Sequence, residues 1–243
     1  MPQKDIIPQN LQSLYFQEEQ LREKALEIVG STKNLQLHIN IVERAMDLAD
    51  MLRQFESEDE DLKVIQVLGM RTFNAFGASL KLALSGYGQN AALIMRDLIE
   101  TAFLLDLFQG DRALIEQWRL ADKKARMRQF APVKVRKALD ERDGFTSKKR
   151  AEIYELFSEL AGHPNVKSVW MMRPEKNGDA VIGPFIETTA LEAVLSEMGR
   201  LAIQVGEMMN EFFPENWDRA LPARVGFAEA KKNWLGTFYP AKT

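Results

Sequence analysis

Apolar residues return at three- and four-residue intervals through most of this chain, a period that selects helices over strands. Leu35 to Phe55 carries Ile39, Val42, Met46, Ala49, Leu52 and Phe55 in that pattern, and a helix over about 10–29 precedes it across Gly30-Ser31. An acidic break at Glu56 to Asp61 leads into a third helix over 62–84. That helix is apolar on most sides (Val64, Ile65, Val67, Leu68, Met70, Phe73, Phe76), so it is expected to be central. Ser85-Gly86-Tyr87-Gly88 turns into a fourth helix over 89–108.

Further helices are expected over 113–129, 133–139, 148–160 and 189–212. Gln109-Gly110-Asp111 supplies a stop and a start, Pro132 breaks the fifth helix, Thr146 caps the seventh, and Gly162 and Pro164 end it. Helical periodicity lapses over 165–187. There Val169 to Met172 and Ala180 to Ile182 flank an Asn-Gly pair, which predicts a small β-hairpin. Pro214, Pro222 and Gly226 are expected to break up the tail. The expected class is an all-α, up-down helical bundle in one domain over 1–243, with a hairpin insertion near 169–182.

Composition narrows the chemistry. A chain of 243 residues without a cysteine has no disulfide, thiol nucleophile or Cys-based zinc site. Two histidines, neither in an E-x-x-H pattern, give no support to a di-iron bundle, and neither a metal nor a cofactor is expected. No run approaches the ~18 apolar residues of a membrane span. The N-terminus lacks a basic-then-apolar signal pattern, so a cytoplasmic location is expected.

Two stretches place polar side chains where a core would exclude them. Arg96 and Glu100 share a helical face with Leu93, Phe103 and Leu107. Tyr154 lies one turn before Ser158, and that helix runs out at His163. If the stretches pack together, all five form one pocket. Each also has a plainer reading: a surface ion pair worth about 0.3–0.5 kcal/mol for Arg96 and Glu100, a helix-terminal charge for His163, and a bond to the preceding turn for Ser158.

Charge is uneven. Between Arg119 and Arg150 lie twelve basic and four acidic residues, a local +8 in a chain of net −3, so the remainder carries −11. Lys123, Lys124, Arg126 and Arg128 sit at its centre, with Trp118, Phe130 and Phe145 interleaved. The pattern fits a single-stranded nucleic-acid surface. It also fits the solvated face of a helix, with aromatics in the core.

The residues Gly86-Tyr87, Ala91 to Met95, Arg96, Glu100, Asp111 and Trp118, followed by Tyr154, Ser158, His163 and Pro164, resemble the HEPN-like helical superfamily. More narrowly they resemble an uncharacterised bacterial branch of it, over about residues 35–210. The resemblance implies a four- to six-helix bundle that dimerises through its polar face, and RNA or a nucleotide as partner. Many such proteins are metal-independent ribonucleases of toxin–antitoxin and defence systems, carrying an Arg, four to six residues, then a His. Here the matching positions before His163 hold Leu156, Phe157 and Ser158, and those before His38 hold Ser31, Thr32 and Lys33. The resemblance therefore implies one of two things. Either Arg96 completes a composite site, holding a phosphate while His163 moves a proton, Tyr154 and Ser158 orient them and Glu100 fixes Arg96. Or the chain is a non-catalytic helical dimer or interaction module with a buried polar network.

Overall fold

A computed structural model describes residues 7–164, 166–174 and 178–240, and within them the regular structure is helical. Ten α-helices run α1 (Gln9–Ser31), α2 (Lys33–Arg53), α3 (Glu60–Leu84), α4 (Gly88–Gly110), α5 (Ala113–Leu120), α6 (Lys123–Gln129), α7 (Pro132–Arg142), α8 (Lys149–Phe157), α9 (Thr188–Asn210) and α10 (Leu221–Phe238). α2, α3, α4 and α9 form the central bundle, packed in a ring that α3 and α9 also close across the middle, and α10 covers α2. Leu48, Leu52, Ile65, Phe76, Met95, Leu98, Met198 and Val205 fill the space between them. None of the described helices is long and apolar enough to cross a membrane.

Local chemistry explains the boundaries. Asp59 accepts from the backbone N–H groups of Asp61 and Leu62 and opens α3. Gly86 makes the turn into α4 with φ of 88°, and a Cβ there would lie 2.7 Å from Phe185 N. The Phe185 N–H in turn donates to Gly86 O at 3.1 Å, pinning the approach to α9. No side chain is compatible with that contact.

Several expectations are corrected. The fifth helix divides at Ala121-Asp122, because Asp122 accepts from Ala125 N–H at 2.7 Å and caps a new helix, α6. The hairpin is replaced by a 3₁₀ turn, Val166–Met172, and no strand occurs among the described residues. A lone pair of strands is marginal without a sheet to join, and here Met171 packs on the helical core instead. One hairpin-like bond survives, Val181 N–H to Met172 O at 3.0 Å, while residues 175–177 of the expected turn lie outside the described residues. The tail forms α10. Pro222 sits in its first turn, where a missing N–H costs nothing. α3 is central on one side only, since Val67, Met70 and Phe73 are exposed.

Candidate functional site

The feature that assembles the site is a π-helical turn, Ser158–Gly162, continuing directly from α8. Its wider winding sets the His163 N–H against Ser158 O at 3.0 Å, five residues back. An α-turn would have stacked Gly162 over Ser158. The π turn brings His163 there instead, so Tyr154, Ser158 and His163 rise along one face. Such insertions recur at functional sites. The Ser158 hydroxyl donates to Tyr154 O at 2.8 Å and is itself buried.

α4 supplies the opposing wall. Tyr154 Oη accepts from Arg96 Nη2 and donates to Glu100 Oε1 at 2.8 Å. Arg96 Nη2 lies 3.5 Å from the same carboxylate oxygen, closing a triangle. Gly162 permits the approach of α4 to the π turn, because a Cβ there would lie 3.1 Å from Arg96 Nη1. The pair is half-buried rather than sealed, with 24% and 32% of the two side chains exposed.

Beside the triangle, Arg136, Tyr154, Glu155, Ser158, Glu159 and His163 line a cleft of about 580 Å³. Arg96 is not among its lining residues; it meets the cleft only through Tyr154. Of the five expected site residues, Arg96, Glu100, Tyr154 and Ser158 are joined by hydrogen bonds, and His163 lines the cleft with Tyr154 and Ser158.

Arg136 is the residue that sequence reasoning missed. It is only 9% exposed, its guanidinium carbon lies 4.0 Å from the Tyr154 ring centroid, and it makes no ion pair among the described residues. Its Nη1 is buried without a hydrogen-bond partner, as is Arg96 Nε, whose guanidinium carbon lies 4.9 Å from the same ring centroid. Two guanidinium groups thus flank one tyrosine with a single carboxylate, Glu100, bonded to the group. Unpaired buried donors of this kind are costly. A signal was available: Arg136 stands between Val135 and Leu139 on the buried side of α7.

The basic stretch is partly neutralised. Arg150 pairs with Asp140 at 2.7 Å and with Asp143, Arg142 pairs with Asp106 at 2.9 Å, and Arg119 meets Asp61 at 3.1 Å. Hydrogen bonds from Arg142 and Arg150 hold the Asp143 carboxyl down at about 2. Lys123, Lys124, Arg126 and Arg128 stay exposed on α6, a helix with no buried residue. Of the interleaved aromatics, Phe130 is core and Trp118 packs edge-on against Phe108, while Phe145 is exposed.

The second histidine is structural. His38 is buried, accepts from Trp234 Nε1–H at 2.8 Å through Nδ1, and stacks on Phe238. Burial, aided by the charge of Arg200, lowers its pKa to about 4, so the imidazole is neutral.

Comparison with protein-family models, with curated proteins and with solved structures finds no match.

Proposed function

We propose that this chain is an RNA- or nucleotide-directed helical protein whose reaction, at the Tyr154 cleft, is metal-independent cleavage of a phosphodiester. The observation that carries the reading is the buried, unpartnered guanidinium N–H of Arg136, over a tyrosine on the wall of an open cleft that also holds a histidine. Arginine suits the planar, two-point contact that a phosphate offers. Arg136, rather than Arg96, holds the phosphate, and Arg96 with Glu100 fixes the Tyr154 hydroxyl. His163 accepts the proton of the 2′-hydroxyl as its oxygen attacks phosphorus. The P–O5′ bond breaks, leaving a 2′,3′-cyclic phosphate and a 5′-oxygen that takes a proton from solvent. Charge developing on the phosphoryl oxygens is what Arg136 stabilises. Glu155 on the cleft wall repels an anion from its own side and confines it to the Arg136 end. The resemblance to HEPN-like proteins agrees with this reading.

A second reading rests on the closed Arg96–Tyr154–Glu100 triangle, which satisfies its own hydrogen bonds at Tyr154 without a ligand. On that reading the network fixes helix register in a non-catalytic dimer module. Fluorescence anisotropy with a single-stranded RNA separates the two. RNA binding that weakens steeply with salt and drops on Arg136→Gln supports the first. Salt-insensitive binding, or none at low salt, leaves the second.

A further inference from the structure

A second cavity adjoins the first. A groove of about 320 Å³ between α3, α4, α5 and α7 has a floor and walls of Leu104, Trp118, Phe130, Pro132 and Val135, with Glu100 at its edge. Its volume and its mostly apolar, aromatic lining suit a flat organic ring. Glu100 and Val135 connect it to the cleft, since Glu100 is bonded to Tyr154 and Val135 precedes Arg136.

Its polar groups are unevenly used. Glu100 engages both Tyr154 and Arg96 through Oε1, and Asp97, which also lines the groove, holds Arg71 through Oδ1. The other oxygen of each carboxylate has no partner among the described residues. The groove therefore keeps an open acceptor on each carboxylate, beside N–H donors of Arg71, which also lines it and spends one bond on Asp97. On its other side Arg126 lies 5.1 Å from the Trp118 ring centroid, which brings the exposed cations of α6 to its rim.

We infer that this groove seats one unpaired base of single-stranded RNA, held by apolar and aromatic contact and read through adjacent N–H donors by Asp97 and Glu100. Its flanking phosphates run toward α6 on one side and the Arg136 cleft on the other. Guanine matches this set best, since its N1–H and N2–H are donors for the carboxylates and its O6 and N7 are acceptors for the N–H groups of Arg71. A duplex keeps its bases stacked and its edges paired, and the groove excludes it. This inference rests on the RNA reading of the cleft and adds which form of RNA and which base.

The test is anisotropy with labelled uridine-rich octamers that differ only in one central base, alongside a duplex of the same length. The octamer with central guanine is expected to bind about tenfold tighter than the all-uridine one, in the range that one recognised base supplies. The duplex is expected to bind more weakly than either. Trp118→Leu should cost about tenfold in affinity. Asp97→Asn, on the half-exposed Asp97, should erase the guanine preference while the chain stays folded. Equal binding of single strand and duplex, or a guanine preference untouched by Asp97→Asn, overturns the inference. If RNA is bound and cleaved but both groove variants behave as the parent, the groove inference fails and the cleft reading stands. If the groove variants weaken binding while Arg136→Gln and His163→Ala change neither affinity nor turnover, the cleft reading fails instead.

Discussion

The guanidinium of Arg136 lies over the ring of Tyr154, 4.0 Å from its centroid, on the wall of a cleft and without a carboxylate partner among the described residues. A cation–π contact is worth about 0.5–2 kcal/mol, less than the several kcal/mol that an unpaired buried charge typically costs. Arg136→Met keeps the volume and removes the charge. The expected result is unchanged or higher stability, by up to about 1 kcal/mol, together with lost affinity for RNA. Chemical denaturation and anisotropy on one preparation check both halves. A loss of more than about 2 kcal/mol would make Arg136 a structural residue.

Arg96→Ala removes one corner of the triangle with Tyr154 and Glu100. Cutting a fully buried pair costs about 3–5 kcal/mol. Glu100, however, keeps the Tyr154 hydroxyl at 2.8 Å and is about a third exposed. The expected cost is therefore smaller, about 1–2 kcal/mol by denaturant titration. A cost below about 0.5 kcal/mol would mean that the triangle contributes nothing to the fold.

Arg150 sits between Asp140 and Asp143, with only 14% of its side chain exposed. Arg150→Ala leaves Asp140 without its ion-pair partner, and Asp143 and a buried Asp106 held by Arg142 alone. A destabilisation of about 3 kcal/mol is expected, with Arg150→Lys recovering only part because lysine lacks the two-pronged geometry. Thermal unfolding of the two variants compares them directly.

His38 gives the fold an acid sensitivity. Its pKa falls from about 6.5 to about 4 on folding, so the unfolded chain binds the proton more readily. Stability attributable to this group is present above pH ~6.5, declines as pH falls, and is fully lost below ~4, a span on the order of 3 kcal/mol. His38→Gln cannot titrate, and its stability should vary less across that window. A parent and variant with parallel pH profiles would refute the assignment.

Much of this arrangement is legible in the chain. The 3.6-residue period marks α2, α3, α4 and α9, and the same period stacks Arg96 on Glu100 and Tyr154 on Ser158. What it does not carry is contact between segments far apart in sequence. Arg142 looks like free surface charge until α7 brings it to Asp106, thirty-six residues away. Arg136 counts as one more cation in a basic run, although Val135 and Leu139 beside it already mark a buried face. The π turn has no period of its own to detect, so His163 reads as a helix end rather than as the top of a stack. Pro222 reads as a breaker in the chain alone because its effect depends on position: one turn later it would break α10, but in the first turn it is tolerated.

The proposed cleavage of RNA at the Tyr154 cleft, with His163 as proton acceptor, is read out by end-group analysis of a single-stranded RNA incubated with the purified protein in excess chelator. The expected fragments end in 2′,3′-cyclic phosphate and 5′-hydroxyl. Cleavage should be lost in His163→Ala and reduced at least about a hundredfold in Arg136→Gln, as for removal of a group that stabilises developing charge, with both variants folded. An intact RNA, or cleavage unchanged in His163→Ala, would contradict it and leave the non-catalytic helical module as the reading of this fold.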